Sequence, residues 1–200
     1  MDTGDIILFE GKSLLSYILE FGQGSRYSHI GIFLKSPTFL HPDWSGNYIL
    51  QAGYESDSVD EESKRRLCGV QVTPYDVIIE NSKRNGCKLW HRKLICERND
   101  DFKNKLKEAY TMSIDKPYDF DIFDWISAKF DLVIHQPWFS YRKTNEFFCS
   151  ALAAFVYVKL GYLEKNVPWT LIAPTQFSAI EGYSLTFTDC SVVDEVPIPL

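Results

Sequence analysis

The chain has 200 residues, 45% hydrophobic and 15% aromatic, enough for one sizeable core in a single domain, 1–200. Its net charge of −6 argues against a nucleic-acid partner, because phosphate binding relies on clustered Lys and Arg. No stretch approaches the ~20 apolar residues of a membrane span, and Met1-Asp2-Thr3-Gly4-Asp5 lacks the basic opening of a secretory leader.

Taken in chain order, a first strand is expected over Asp5–Phe9, with Asp5 fixing its start rather than doing chemistry. Gly11-Lys12-Ser13 imitates the end of a phosphate-binding loop, but Ile6 stands where that motif needs its first glycine. A short helical segment follows from Ser13 to Phe21. In Tyr27-Ser28-His29-Ile30-Gly31-Ile32-Phe33, alternation and β-branching predict a strand over His29–Leu34, entered by a polar loop. Further strands are expected over Tyr48–Ala52, Gly69–Thr73 and Lys88–Ile95. Between Tyr48–Ala52 and Gly69–Thr73, the acidic run Glu55 to Ser63 reads as part of a flexible loop, 55–66. The basic runs Lys64-Arg65-Arg66 and Arg92-Lys93 read as solvated charges at loops and strand ends.

A helix is expected from a cap at Asn99 or Asp100, with Phe102, Leu106, Ala109 and Tyr110 on one face. The stretch containing Trp125, Ile126, Phe130, Leu132 and Trp138 is unusually aromatic, fitting a core lobe or an apolar substrate wall. Next comes Phe148-Cys149-Ser150-Ala151-Leu152-Ala153-Ala154-Phe155, an all-apolar and therefore buried helix running to Lys159, with Gly161 as its cap. The tail 192–200, with Pro197 and Pro199, is expected to run along the surface or dock on a protein partner.

Cys149 opens that last helix, where unpaired backbone N–H groups and the positive end of the dipole favour a thiolate, the nucleophilic form. The competing reading is a buried, inert cysteine. A nucleophile needs a base, and His29, at the start of a buried strand, can face a helix terminus. The other histidines, His41, His91 and His135, read as surface or packing residues. Cys68, Cys87, Cys96, Cys149 and Cys190, an odd number at wide spacings, do not form a disulfide framework and suit a reducing compartment such as the cytoplasm. Cys87, His91 and Cys96 have irregular spacing for zinc, so neither metal nor cofactor is expected. There is no G-x-S-x-G elbow.

Gly4-Asp5-Ile6-Ile7-Leu8-Phe9, Ser28-His29-Ile30-Gly31-Ile32, Leu50-Gln51-Ala52, Lys116-Pro117-Tyr118-Asp119, Phe148-Cys149-Ser150 and Ala173-Pro174-Thr175 occur in this order over most of the chain. Together they resemble the circularly permuted NlpC/P60 (YiiX/YebB-like) cysteine hydrolases. The resemblance implies an α+β, permuted papain-like fold, an antiparallel sheet or open barrel packed on a central helix that carries the cysteine. It implies acyl transfer, with Cys149 attacking a carbonyl and His29 moving the proton. Peptide, isopeptide and acyl-lipid substrates remain open. Gln51 falls where many relatives carry an acid; it can orient the imidazole without adding charge, and it can equally be an ordinary strand residue. Glu55 shares its strand face and is the fallback orienter. Tyr118 and Ser28 are supporting or substrate-facing candidates. The family has members in large DNA viruses, which keeps a virion-associated location and a non-catalytic structural role as the alternative.

Overall fold

The computed structural model describes residues 1–11, 26–53, 59–65, 68–117, 148–180, 182 and 184–200. The segment Ser13–Phe21, the aromatic stretch from Trp125 to Trp138, and Glu55, Tyr118, Asp119 and His135 lie outside them.

Alternating apolar segments form strands β1 (Ile6–Glu10), β2 (His29–Lys35), β3 (Asn47–Gly53), β4 (Gly69–Pro74) and β5 (Lys88–Arg92). With β8 (Val196–Ile198) they make a six-stranded sheet in the order β4-β3-β2-β1-β5-β8, every neighbouring pair antiparallel. A two-stranded ribbon joins β6 (Leu94–Ile95) to β7 (Ser191–Val192). The helices are α1 (Tyr75–Asn85), α2 (Asp100–Ser113) and α3 (Cys149–Leu160). Two short 3-10 turns, Trp169–Leu171 and Pro174–Phe177, follow α3. No helix among the described residues is long and apolar enough to cross a membrane.

Strand alternation sorts the core into two layers. Ile6, Leu8, Ile30, Ile32, Leu50, Ala52 and Val72 face the layer that holds α3 and α2. Ile7, Phe9, Phe33, Ile49 and Leu89 face Ile78 of α1 on the opposite side. Asn99 caps α2 by accepting from the Phe102 amide at 3.0 Å, and Phe102, Leu106, Ala109 and Tyr110 are buried as their spacing predicts. Gly31 is required by close approach: a Cβ there would lie 2.3 Å from Ile49 Cγ2 and 3.6 Å from Gln51 Cβ.

Four expectations are corrected. The strand expected over Lys88–Ile95 breaks at Lys93, because fully buried Asp5 accepts from the Leu94 amide at 3.0 Å and from Arg98 at 3.0 Å, and pairs with His91 Nε2 at 2.7 Å. These contacts turn the chain off β5 into β6, and Asp5 does fix the start of β1. Arg92 is not solvated: it is buried and donates to the carbonyls of Val193 and Phe177, both at 2.8 Å. Of the acidic segment, 59–65 is tied down by buried Asp60, which accepts from the Val72 and Ser63 amides at 2.8 and 2.7 Å. The tail does not simply follow the surface, since Val196–Ile198 pairs with β5 as the sheet's edge strand. Glu195 anchors it, accepting from Tyr27 Oη at 2.9 Å and the Ala179 amide at 2.8 Å.

Candidate active site

The apolar run after Cys149 buries α3 except for part-exposed Val158 and Lys159, so its first turn is held by packing rather than by a capping side chain. Ser150 donates to the Ile172 carbonyl at 2.5 Å, securing that turn against the segment leading into Ala173-Pro174-Thr175. At the far end Gly161 adopts a left-handed conformation, φ 84°, and caps the helix as its sequence position predicts.

His29 is the first residue of β2 and lies edge-on to the Phe9 ring, centroids 4.8 Å apart. Its Nε2 is 2.8 Å from Gln51 Oε1, and Gln51 Nε2 donates to buried Thr73 Oγ1 at 3.1 Å. The Thr73 bond turns the amide oxygen toward the ring. With the amide in this orientation, the bond to Gln51 Oε1 requires the His29 tautomer protonated on Nε2, with Nδ1 as the acceptor. Thr73 and the Ile30 amide were not singled out from sequence. The alternation Gly69-Val70-Gln71-Val72-Thr73 was the available signal, since it places two polar side chains on one face of β4 beside Gln51.

The β2–β3 register ends at Ile32↔Leu50, whereas the β3–β4 register continues to Gly53↔Gly69. Beyond that end, the Ile30 N–H lies near enough to the Cys149 sulfur to favour its thiolate form. The residue adjoining His29 in the chain thus lies beside the thiol. Cys149 belongs to the core layer of Ile30, while His29 leans on Phe9 of the opposite layer. The two groups come to the sheet from its two sides at the level where β2 parts from β3. Ser28 is engaged in strand pairing: its amide and hydroxyl both donate to the Phe9 carbonyl, at 2.9 and 3.3 Å.

The thiolate expected from the helix terminus is not the resting form. Burial pushes the Cys149 thiol up to about 11, outweighing the lowering by the Ile30, Ser150 and Cys149 amides. Burial likewise holds the His29 imidazole down at about 4, against the raising effect of its bond to Gln51. At neutral pH the site contains a neutral thiol and a neutral imidazole.

These shifts predict a stability window. Between pH ~6.5 and ~4 the unfolded chain takes up a proton at position 29 that the folded chain refuses, so stability falls with pH. Between pH ~9 and ~11 the unfolded chain releases the Cys149 proton that the folded chain keeps, so stability falls as pH rises. Urea unfolding at pH 4.5, 7.5 and 10 checks this: His29→Asn should flatten the acid limb and Cys149→Ala the alkaline one.

Among the described residues the architecture is mixed α+β, with a large antiparallel sheet and three helices, and the fold is YiiX-like. Among solved structures, the chain is similar to a crystal structure of the metalloprotein YiiX from Escherichia coli O157:H7, of family DUF1105. The TM-score is 0.53 and the identity 18%, over 98% of this chain and 97% of that one. No protein-family model and no curated protein matches the chain.

Proposed function

We propose that the chain is a cysteine hydrolase or acyltransferase acting on an amide, thioester or ester through an acyl-enzyme on Cys149. The observation that carries this reading is the 2.8 Å contact of His29 Nε2 with Gln51 Oε1, one residue along the chain from Ile30, whose N–H favours the Cys149 thiolate. Because thiol and imidazole are both neutral at rest, the proton moves during attack. Sγ bonds to the carbonyl carbon as its proton passes to His29 Nδ1, a transfer that needs the imidazole, packed on the Phe9 side of the sheet, to reach the sulfur past the end of the β2–β3 pairing. Backbone N–H groups at the α3 terminus stabilise the oxyanion. The tetrahedral intermediate collapses to a thioester, and the leaving group departs with the proton from Nδ1. Water or an acceptor nucleophile then releases the acyl group, giving up its proton through His29 so that Cys149 regains its thiol. An amide in the orienting position is compatible with this chemistry, as the Cys-His-Asn set of papain-like proteases illustrates.

The neighbouring YiiX structure is of a metalloprotein. Among the described residues no three His, Cys, Asp or Glu side chains are grouped to hold an ion, so no step is assigned to one.

One observation favours a second reading, a non-catalytic binding or structural protein that keeps the fold. The thiol is buried and raised, and its histidine has an amide rather than a carboxylate to support an imidazolium. Variants at position 51 separate the two. If His29 is the base, Gln51→Ala should lower turnover about 5- to 100-fold, the equivalent of one orienting hydrogen bond, with little loss of stability. Gln51→Glu should preserve or raise turnover by stabilising the imidazolium. Steady-state rates on peptide, isopeptide and acyl-lipid substrates, read beside urea unfolding, check both. Equal turnover in all three proteins would remove Gln51 from the mechanism.

A further inference from the structure

In the ribbon, Leu94 faces Val192 and Ile95 faces Ser191, and the Val193 amide donates to the Lys93 carbonyl at 3.0 Å. That bond makes Lys93 and Val193 a hydrogen-bonded pair. Alternation then makes Leu94 with Val192 a non-hydrogen-bonded pair, and the same register carried one step past the last paired residues, Ile95 and Ser191, sets Cys96 opposite Cys190 at the next such position. Non-hydrogen-bonded partners are the closer kind, with Cα atoms about 4.5 Å apart, within the span of about 4.4–6.8 Å that a disulfide bridges. Both side chains are on the inward face: Cys96, Cys190 and Val192 pack against the core cluster containing Leu94, whereas Ile95 is exposed. Both cysteines are free and part-exposed, unlike Cys149. Cys96 also contributes to holding the Cys190 thiol up at about 12, after burial, as adjacent sulfurs should.

We propose that Cys96 and Cys190 form a reversible dithiol site, closed into a cross-strand disulfide by a small-molecule disulfide such as oxidised glutathione. One protein thiolate attacks a glutathione sulfur, releasing reduced glutathione and leaving a mixed disulfide. The second protein thiolate attacks the protein sulfur of that bond and releases the second glutathione. Two electrons pass from the protein to the glutathione couple, and the two thiol protons end on the two released glutathione thiols. The bridge fastens the segment that carries β7, Glu195 and β8 to the strand leading into α2. This site is independent of any chemistry at Cys149.

The test incubates the full chain with oxidised glutathione, with reduced glutathione as control, followed by intact mass and non-reducing peptide mapping. The expected result is the loss of two hydrogens, a Cys96–Cys190 linked peptide, and a midpoint of thermal unfolding higher by about 5 to 15 °C. Cys96→Ser and Cys190→Ser should each abolish the bridge and retain a glutathione adduct on the remaining cysteine. Stable adducts on both cysteines of the wild type, a bridge between other cysteines, or no oxidation at either position would overturn the proposal.

Discussion

His29→Ala is expected to slow acylation of Cys149 by a thioester or activated amide about 10²- to 10⁴-fold, the usual contribution of a positioned general base. The effect should be large because burial leaves the thiol at about 11, so hardly any thiolate exists at neutral pH to react without help. Single-turnover acylation followed by mass spectrometry measures it. Its pH profile carries a second signature. The acid limb should follow His29 near pH 4, since a protonated imidazole cannot accept the thiol proton. Simple alkylation should instead climb with pH toward 11. An acylation rate indifferent to position 29 would remove the histidine from the mechanism.

Asp5→Ala is expected to be strongly destabilising, costing about 3 kcal/mol or more. The carboxylate is completely buried and holds His91, Arg98 and the Leu94 amide, with the Asp2 amide on Oδ2 at 2.9 Å. Removing it strands a guanidinium and a buried amide without their acceptor, and it releases the turn between β5 and β6. The Arg98 side chain keeps 24% exposure, which places the loss toward the lower end of the range for broken buried pairs. Urea unfolding at pH 7.5 measures the cost, and Asp5→Asn, which keeps the shape and some acceptor capacity, should cost less.

How far these features were legible differs from one element to the next. Gly161 as a left-handed cap, Asn99 as the α2 cap and the β2 alternation beginning at His29 were readable because each depends on neighbours a few residues away. Helix α1 was also signalled locally, by Pro74 before it, Asp76 in its first turn, Lys83 and Arg84 in its last, and Gly86 after it, although its polar surface hid it among loop residues. The break at Lys93 was not legible, since it is imposed by Asp5, nearly ninety residues earlier. The edge strand Val196–Ile198 depends likewise on meeting β5, and Pro197 within it argued against a strand. At the site, the types of the side chains were readable but their ionisation was not. Helix-terminus reasoning favours a thiolate, and only the packing around Cys149 reveals that desolvation wins.

The central claim is acyl transfer through Cys149, and trapping the acyl-enzyme tests it most directly. Wild-type protein is mixed with thioester, peptide-amide and acyl-lipid donors, quenched in acid within seconds, and mapped by intact mass and peptide sequencing. The account predicts an added acyl mass on Cys149, absent in Cys149→Ala and strongly reduced in His29→Ala, with Cys68, Cys87, Cys96 and Cys190 unmodified. Acylation confined to those other cysteines, or a Cys149 adduct formed equally fast without His29, would contradict it.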